Sequence, residues 1–482
     1  MRILLLKPSV SVSYDQVTVP PLGPLYLSAV LKKAGYTEVR VLHLDALGLG
    51  EEDIENELRA FGPDIVGLSA ITAEGKSLHS LARLVKKVLP ETLVVAGGPH
   101  PTGYAADCME NPAIDIAVRG EGEITFLEIV KNREAGKGFD GIRGITRRSG
   151  GKITAEPDRE FIEDLDSLPF PDWDAIDLGL YKNFVPQAPV HYKTPYMTVV
   201  TSRGCPFHCT FCHNTHGKKF RAHSANRVIT ELLTLKERYG FSEIEIIDDI
   251  FNWDRARTVE IMKGVITSGL KLKIYMANGV RADVLDKEVL DLFARAGVVF
   301  ICAGVETATP GLQEAVRKNI KFSDLREMLD YAVEKRIFTH ALFMVGFPGE
   351  SAGEVINTIK FACSLKAHTS LFSFVCAYQG TELGDSLKDK SAVITPENDM
   401  SSAMSSVNFV NCSPLPAWKL ILLKQLGNIA FFLNPARIFR LFRDLPGHNP
   451  ALFLLLLKKL GHSLTMWINA VRQVGKKGID CQ

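Results

Sequence analysis

Short apolar runs alternate with amphipathic segments along the first 145 residues of the chain. The apolar runs predict buried strands at 3–6, 39–42, 65–69, 93–96 and 114–118, and the segments between them have the spacing of helices at 25–33, 54–61, 78–88 and 123–131. Such alternation with short connections indicates a doubly wound parallel sheet, whose ligands bind at the carboxyl ends of the strands. No Gly-x-Gly-x-x-Gly follows the first strand, so the sequence does not support a classical dinucleotide site.

The alternation stops after residue 145 and restarts near residue 195. Residues 146–194 are predicted to be a linker, because the segment 164–173 carries three acids and two prolines. Residues 195–395 then predict strands at 196–201, 243–247, 272–276, 298–303, 337–344 and 371–376, with helices at 224–239, 255–268, 284–296, 322–335 and 352–364. Six successive strand–helix units indicate a partial (β/α)6 barrel with its chemistry at the C-terminal rim. Residues 396–482 predict a helical tail, with helices at 418–432, 435–445 and 450–474.

Composition narrows the class of protein. At 482 residues, with 46% hydrophobic and 23% charged residues, the chain is expected to be a folded α/β protein of two or three domains. A net charge of +1 does not indicate a nucleic-acid partner. The first apolar run is too short for a signal peptide, and no run approaches the length of a membrane span. Nine cysteines, an odd number, favour a reducing cytoplasm over a disulfide framework.

Three cysteines stand together just after the first strand of the predicted barrel. Cys205, Cys209 and Cys212 have spacings that let one loop direct three thiolates at a single iron–sulfur cluster. Ferredoxins use four cysteines, so three would leave one iron open for a substrate or cofactor. A structural zinc site is an alternative, with a fourth ligand from His208, His213 or His216. Three unrelated buried thiols are a second alternative.

The cysteine string, with the aromatic Phe211 just before Cys212, resembles the cluster loop of the radical S-adenosylmethionine enzymes. The resemblance implies a [4Fe-4S] cluster whose open iron chelates the amino and carboxylate groups of S-adenosylmethionine. Reductive cleavage of that cofactor would give a 5′-deoxyadenosyl radical, which abstracts hydrogen from unactivated carbon. The three cysteines are then both the metal ligands and the centre of catalysis.

Residues after the later barrel strands resemble the rim of the same family. Each also has an ordinary structural interpretation, which is helix capping for the aspartates, a surface ion pair for the arginine, and a plain turn for the glycine and proline. The resemblance implies that these residues, together with Phe211 in the cysteine loop, bind S-adenosylmethionine: Asp248 and Asp249 after the second strand, Arg281 after the third, Glu306 after the fourth, and Gly346 and Pro348 after the fifth.

The first domain resembles the cobalamin-binding domain of one large subgroup of these enzymes. The strings that carry the resemblance are 20–27, 67–72, 97–100 and 118–123. No histidine occupies the loop after the first strand, so cobalamin is predicted to bind without a histidine below the cobalt, and His100 is expected to be a polar lining residue. A domain that serves only as a scaffold is the alternative. The residues expected to contact cobalamin are Leu22, Gly23, Ser69, Thr72, Gly97, Gly98 and Glu121.

Together these features predict a cobalamin-dependent radical S-adenosylmethionine enzyme, similar to the class B methyltransferases and to anaerobic magnesium-protoporphyrin monomethyl ester cyclase. Methylation of an unactivated carbon is the favoured reaction; cyclisation or carbon–carbon coupling of a tetrapyrrole or lipid, and a non-catalytic iron–sulfur sensor, are the alternatives. The expected partners are a small-molecule or lipid-like substrate and a reductant such as flavodoxin or ferredoxin. The leucine-rich and basic tail is expected to cover the barrel mouth or, alternatively, to touch a membrane surface.

Overall fold

The computed structural model describes residues 1–9, 19–183, 186–192, 195–212, 215–278, 280–387, 393–394, 410–445 and 461. Apart from residue 461, the predicted helix at 450–474 lies outside these residues, as does His213. The chain forms two compact units. The first is built mainly from Met1–Pro186 together with residues 215–223, and the second from most of the remaining described chain. None of the helices in the described ranges has the length and apolar character needed to cross a membrane.

The first unit is an α/β sheet with helices packed against it. Its strands lie in the order β2-β1-β3-β4-β5-β6-β7, and the first five are parallel. The elements, in chain order, are β1 (Ile3–Lys7), α1 (Leu22–Lys33), β2 (Val39–His43), α2 (Leu44–Leu47), α3 (Glu51–Phe61), β3 (Ile65–Ser69), α4 (Gly75–Val88), β4 (Leu93–Gly97), α5 (Pro99–Gly103), α6 (Ala105–Glu110), β5 (Ile116–Val118), α7 (Gly122–Glu134), β6 (Ile145–Ser149) and β7 (Lys152–Ala155). The predicted parallel α/β sheet is confirmed.

Helix α4 illustrates how the sequence builds this unit. Leu78, Leu81 and Val85 recur at helical spacing, and all three are buried in the core cluster that also contains Val66 and Val94 from neighbouring strands. Lys86 and Lys87 lie in the last turn, where positive charge is favourable. The same alternation of apolar and polar faces explains why this helix was predictable from its periodicity.

The sheet continues past the boundary expected at residue 145. Strands β6 and β7 pair antiparallel with each other, and β6 pairs antiparallel with β5. Residues 146–155 of the expected linker are therefore sheet rather than connector. The reason is local: β7 is exposed along its whole length and β6 is exposed at its end, so neither shows the apolar run that identified the other strands.

The second unit contains six parallel strands in sequential order, β15-β14-β13-β12-β11-β8. This order confirms the predicted partial barrel. Its elements are β8 (Tyr196–Val199), β9 (Ser202–Arg203), α8 (Ala225–Glu237), β11 (Glu243–Ile246), α9 (Arg255–Thr267), β12 (Lys273–Met276), α10 (Lys287–Ala296), β13 (Val298–Glu306), α11 (Pro310–Ala315), α12 (Phe322–Glu334), β14 (Phe338–Val345), α13 (Ala352–Ser364), β15 (Thr369–Phe374), β16 (Ala377–Tyr378), α14 (Glu382–Ser386), β17 (Val393–Ile394), α15 (Ala417–Phe432) and α16 (Pro435–Asp444). A further short strand, β10 (Arg221–Ala222), belongs to the first unit.

Helix α15 packs against α13 and β15, and a Cβ at Gly346, just after β14, would lie 2.8 Å from Leu420 near the start of this helix. Leu441 and Leu445 join a buried cluster with Phe338, at the start of β14. The Arg437 guanidinium, fully buried, donates to four backbone carbonyls, those of Cys363, Leu365, Ala367 and Phe431. The described tail therefore contacts both ends of the barrel, and its expected role as a cover over the barrel mouth stays a prediction.

Candidate active site

The three cysteines lie on the loop that follows β9. Cys205 and Cys209 are half-buried, Cys212 is exposed, and none of the three forms a disulfide. The loop is held by backbone hydrogen bonds from Cys212 N to Cys209 O (3.1 Å) and from Thr210 N to the carbonyl of Val316 (3.1 Å). Three thiols on one anchored loop, none of them in a disulfide, fit the three-thiolate ligand set of a [4Fe-4S] cluster.

The zinc alternative for this loop lacks a closed ligand set. Within the described ranges, one group of histidine, cysteine and acidic side chains is close enough to hold a single ion, and it contains none of the three loop cysteines. A structural zinc ion needs four ligands that converge on one point. His208 is exposed beside the loop, and His213 lies outside the described residues. The geometry therefore favours the cluster.

Asp248 lies at the end of β11 and anchors the segment that leads into the cysteine loop. Its carboxylate accepts hydrogen bonds from Thr201 N (2.6 Å), Thr201 Oγ1 (2.5 Å) and Ser202 Oγ (2.6 Å), and the residue is only 2% exposed. Burial raises the pKa of this carboxyl, while Arg257 and the hydrogen bonds oppose that effect. Both oxygens are occupied within the protein, so Asp248 is a positioning residue, and its expected contact with S-adenosylmethionine is not supported.

Asp249 differs from its neighbour. Its side chain is exposed and accepts a hydrogen bond from Gly204 N (2.9 Å), directly before Cys205. Gly204 adopts φ +81°, a left-handed conformation that favours glycine, and this turns the chain into the cysteine loop. Of the two aspartates, Asp249 is the one with a solvent-facing carboxylate beside the candidate cluster.

Arg281 is committed to an ion pair. Its Nε and Nη2 donate to the two oxygens of Asp283 (2.9 and 2.8 Å), and the guanidinium stacks 3.9 Å from the centroid of the Phe207 ring. Nη1 donates to the carbonyl of Lys318 (3.1 Å). The bidentate face expected to receive a cofactor carboxylate is therefore occupied by Asp283, and the ion-pair interpretation fits better.

Glu306 ends β13 with φ +66° and forms a part-buried ion pair with Lys318 at 3.1 Å. Although burial disfavours the charge of Lys318, Glu306 and the nearby Cys209 raise its pKa. Gly304 makes room for this pair, because a Cβ there would lie 2.5 Å from Glu306 Oε1. The sequence did not reveal Lys318, which follows a short helix without any motif, yet it places a positive charge beside a cluster cysteine.

The turn after β14 is closed from within. Glu350, fully buried, accepts hydrogen bonds from Gly346 N (2.6 Å) and Phe347 N (3.1 Å), and burial raises its pKa to about 7. The Phe347 ring meets the Phe211 ring edge-on at a centroid distance of 6.0 Å, which joins the turn to the cysteine loop. Gly346 has φ +96°, and Pro348 is exposed. A cofactor could therefore reach Pro348 but would find the Gly346 amide already bonded.

Most of the residues expected to contact cobalamin meet at the carboxyl edge of the first sheet. Ser69 and Gly97 end neighbouring strands in register, and a Cβ at Gly98 would lie 3.3 Å from Ser69 Oγ. A Cβ at Gly23 would lie 3.5 Å from the same hydroxyl. Leu22 opens α1, and Thr72 lies in the turn after β3. A part-exposed hydroxyl set between glycines fits the close approach of a large flat ligand.

Glu121 does not belong to that edge set. It is buried, its carboxylate binds Arg221 Nη1 at 2.9 and 3.0 Å, and it accepts from Ile162 N at 2.7 Å. These contacts all lie inside the first unit and leave no oxygen for cobalamin. The expected contact between Glu121 and cobalamin therefore does not fit the structure. Both oxygens of this buried carboxylate are already bonded to a cation and a backbone amide.

Neither described histidine near this edge is available as a lower ligand of cobalt. His43 Nδ1 lies 2.8 Å from Tyr181 Oη, and burial, together with Lys7, lowers the pKa of His43 to about 3. His100 is fully buried and does not line the edge, contrary to expectation. The absence of a histidine below the cobalt stays a prediction.

Comparison with known proteins places these observations in one family. A model described as the B12 binding domain matches residues 10–130, and one described as the radical SAM superfamily matches residues 199–362. An uncharacterized methyltransferase of Pyrococcus horikoshii is 34% identical over 391 residues, with 80% of this chain and 82% of that protein covered.

Two further relatives differ in their reactions. Cytidylyl-2-hydroxyethylphosphonate methyltransferase of Streptomyces wedmorensis is 29% identical, covering 79% of this chain and 80% of its own length. Anaerobic magnesium-protoporphyrin IX monomethyl ester cyclase of Cereibacter sphaeroides is also 29% identical, covering 81% of this chain and 64% of its own length.

Solved structures show the same fold. The methyltransferase TsrM from Kitasatospora setae has a TM-score of 0.68 at 19% identity, covering 81% of this chain and 76% of that one. OxsB, a cobalamin-dependent S-adenosylmethionine radical enzyme, has a TM-score of 0.70 at 16% identity, covering 100% and 81%. The chain belongs to the radical S-adenosylmethionine enzymes that carry a cobalamin-binding domain, and its cofactors are a [4Fe-4S] cluster, S-adenosylmethionine and cobalamin.

Proposed function

We propose that this enzyme methylates an unactivated carbon of a small-molecule substrate. The observation that carries the proposal is the anchored loop of three cysteines outside any disulfide, beside the Lys318–Glu306 pair. When bound, the cluster and S-adenosylmethionine supply the radical that removes a hydrogen, and cobalamin supplies the methyl group. Two relatives named as methyltransferases, each matched over about four fifths of this chain, support methylation as the outcome.

The residues of the chain have distinct parts in this proposal. Cys205, Cys209 and Cys212 hold the cluster. Asp248 fixes the strand end that leads into their loop, and Lys318 offsets the negative charge that thiolate ligands bring. At the edge of the first sheet, Ser69 and the surrounding glycines would receive cobalamin. For S-adenosylmethionine we retain Phe211, Asp249, Glu306 and Pro348 as candidate contacts, since Asp248, Arg281 and Gly346 are engaged elsewhere.

The decisive experiment is turnover under anaerobic conditions with cobalamin supplied. Purified enzyme receives a chemical reductant, S-adenosylmethionine labelled in its methyl group, and a small-molecule extract. We expect a labelled product and 5′-deoxyadenosine, both lost when the three loop cysteines become alanine and both retained in Cys363→Ser, a thiol on α13 away from the loop. Deoxyadenosine without any labelled product would contradict methylation.

Cyclisation is the second candidate, and one observation favours it. The matched cyclase covers as much of this chain as the named methyltransferases do. Deoxyadenosine formed with a tetrapyrrole ester or a lipid, and a product that has lost hydrogen without gaining labelled carbon, would establish cyclisation or coupling instead.

The cellular context is a proposal on physical grounds. None of the eight described cysteines forms a disulfide, which suits a reducing cytoplasm, and the near-zero net charge gives no support for a nucleic-acid partner. A flavodoxin or ferredoxin would supply the electron. The described tail exposes Leu433, Phe439 and Phe442 near Arg440 and Arg443, a surface compatible with a lipid-like substrate or peripheral membrane contact.

A further inference from the structure

Four metal-ligand side chains meet in the first unit, among helices rather than at the edge of the sheet. His79 comes from α4, His100 from α5, and Asp107 and Cys108 from α6. One ligand atom of each residue lies within 4.8 Å of the ligand atoms of the other three. Imidazole, thiolate and carboxylate in a set of four are the ligands of tetrahedral zinc sites.

His100 is the member of this group whose burial is not compensated by hydrogen bonds within the described part of the chain. Its side chain is 0% exposed, and neither ring nitrogen has a hydrogen-bond partner among the described residues. A buried polar group left unsatisfied costs about 1–3 kcal/mol, so such groups call for an explanation. Its Nε2 lies 3.7 Å from Asp107 Oδ2, which directs the ring into the cluster. A bound cation would satisfy it.

The spacing suits a single small ion. His79 Nε2 lies 3.1 Å from Asp107 Oδ2. Zinc–ligand bonds of about 2.0–2.3 Å place tetrahedral ligand atoms about 3.3–3.8 Å apart, so no pair of ligand atoms must approach by more than about 1.5 Å. Asn111 Nδ2 donates to the backbone carbonyl of His79 at 3.1 Å and so fixes the turn of α4 that carries this ring.

Access and charge also fit a divalent cation. The His79 and Asp107 side chains are partly exposed, whereas His100 and Cys108 are buried, so an ion can enter from one side and be enclosed on the other. The Asp107 carboxylate and a Cys108 thiolate together carry two negative charges, which neutralise a divalent ion. Binding would release the thiol proton of Cys108 to solvent.

We propose that His79, His100, Asp107 and Cys108 bind one zinc ion that ties α4, α5 and α6 together. Four protein ligands leave no open position, so the role is structural. Helix α5 starts directly after Gly98, and His100 N donates to the carbonyl of Ala70 at 3.0 Å. The ion would therefore brace the Gly97–Gly98 turn of the candidate cobalamin site without contacting that cofactor.

The test measures zinc in the full-length holoenzyme, purified from zinc-supplemented cells with its cluster and cobalamin in place. We expect about one zinc per chain, and zinc-edge X-ray absorption showing one sulfur at ~2.3 Å with three nitrogen or oxygen ligands at ~2.0–2.1 Å. The zinc signal is separate from iron and cobalt, and the result does not depend on whether methyl transfer is observed.

Variants decide the assignment. His100→Ala and Cys108→Ser should lose the zinc, and His79→Gln, a part-exposed change with little risk to folding, should also lose it. His43→Gln and Cys363→Ser serve as matched controls that keep it. Added Zn²⁺ should raise the unfolding temperature of the wild type but not of His79→Gln. Absence of zinc, zinc retained in all three ligand variants, or an all-sulfur zinc shell at the cysteine loop would overturn the proposal.

Discussion

At the scale of single residues, His43 should make the first unit sensitive to acid. Its pKa is lowered to about 3 by burial and by Lys7, against about 6.5 in the unfolded chain. Between these values the unfolded chain binds the proton and the folded one does not, so stability falls as the pH falls from about 6.5 toward 3. At pH 5 the loss is about 2 kcal/mol.

His43→Gln keeps an acceptor for the Tyr181 hydroxyl and removes the titrating group. We expect the variant to lose less thermal stability than the wild type between pH 7 and pH 5, measured by circular dichroism of the full chain. Parallel pH profiles for the two proteins would contradict this assignment.

The Lys318–Glu306 pair is a second residue-scale test. Both side chains are largely buried, so removing one charge leaves the other uncompensated, which costs about 3 kcal/mol. We expect Lys318→Met to be strongly destabilised in urea unfolding, and the double variant Lys318→Met with Glu306→Gln to recover most of the loss. Simple additivity of the two single changes would show that the pair is not coupled.

At the scale of elements, the junction of β8, β9 and β11 positions the cysteine loop through Asp248. Asp248→Asn places an amide N–H against the Thr201 and Ser202 donors, so the loop should lose its anchor. We expect lower iron and sulfide content per chain after reconstitution, with Asp249→Asn as the neighbouring control that keeps its cluster. If Asp248→Asn kept a normal iron content but bound S-adenosylmethionine more weakly, the result would instead support the direct contact between Asp248 and this cofactor that the sequence predicted.

The turn between β4 and α5 depends on Gly98. It has φ +94°, and a Cβ there would lie 2.8 Å from the Ala70 carbonyl oxygen, so Gly98→Ala combines backbone strain of about 1–3 kcal/mol with a direct clash. Gly136→Ala, at φ +64° with open space around it, controls for the strain alone. We expect only Gly98→Ala to lower the cobalamin bound per chain, measured from the absorbance of the purified protein. If both variants retained the same amount of cobalamin, the turn between β4 and α5 would not be part of the cobalamin site.

Elements with a clear apolar periodicity were predictable, and those without one were not. Helix α4 and the six barrel strands follow from the spacing of their buried residues, whereas β7 is exposed and gave no signal. Helix α1 begins at Leu22, three residues before the predicted start, and Pro24 lies in its first turn, where proline is tolerated.

The candidate site divides in the same way. The cysteine triplet is local in sequence, so its spacing alone identified it. Whether Asp248 or Asp249 faces solvent depends on partners such as Thr201, which is 47 residues away and outside any local pattern. The partner of Arg281 is Asp283, only two residues away, but spacing alone does not show that the two side chains pair. The Lys318–Glu306 pair was not predictable from sequence, because its two residues come from different elements. The same holds for the group formed by His79, His100, Asp107 and Cys108, which three separate helices bring together.

At the scale of the whole molecule, the two cofactor sites draw on different units with separate cores. Each unit buries its own apolar cluster, so a change confined to one site should leave the other loaded. We expect the triple variant Cys205→Ala, Cys209→Ala, Cys212→Ala to lose iron but keep cobalamin, and Gly98→Ala to lose cobalamin but keep iron. Iron and cobalt are measured together by elemental analysis of the same samples. Joint loss of both metals in either variant would mean that the sites are energetically coupled, and that neither unit folds into its binding form alone.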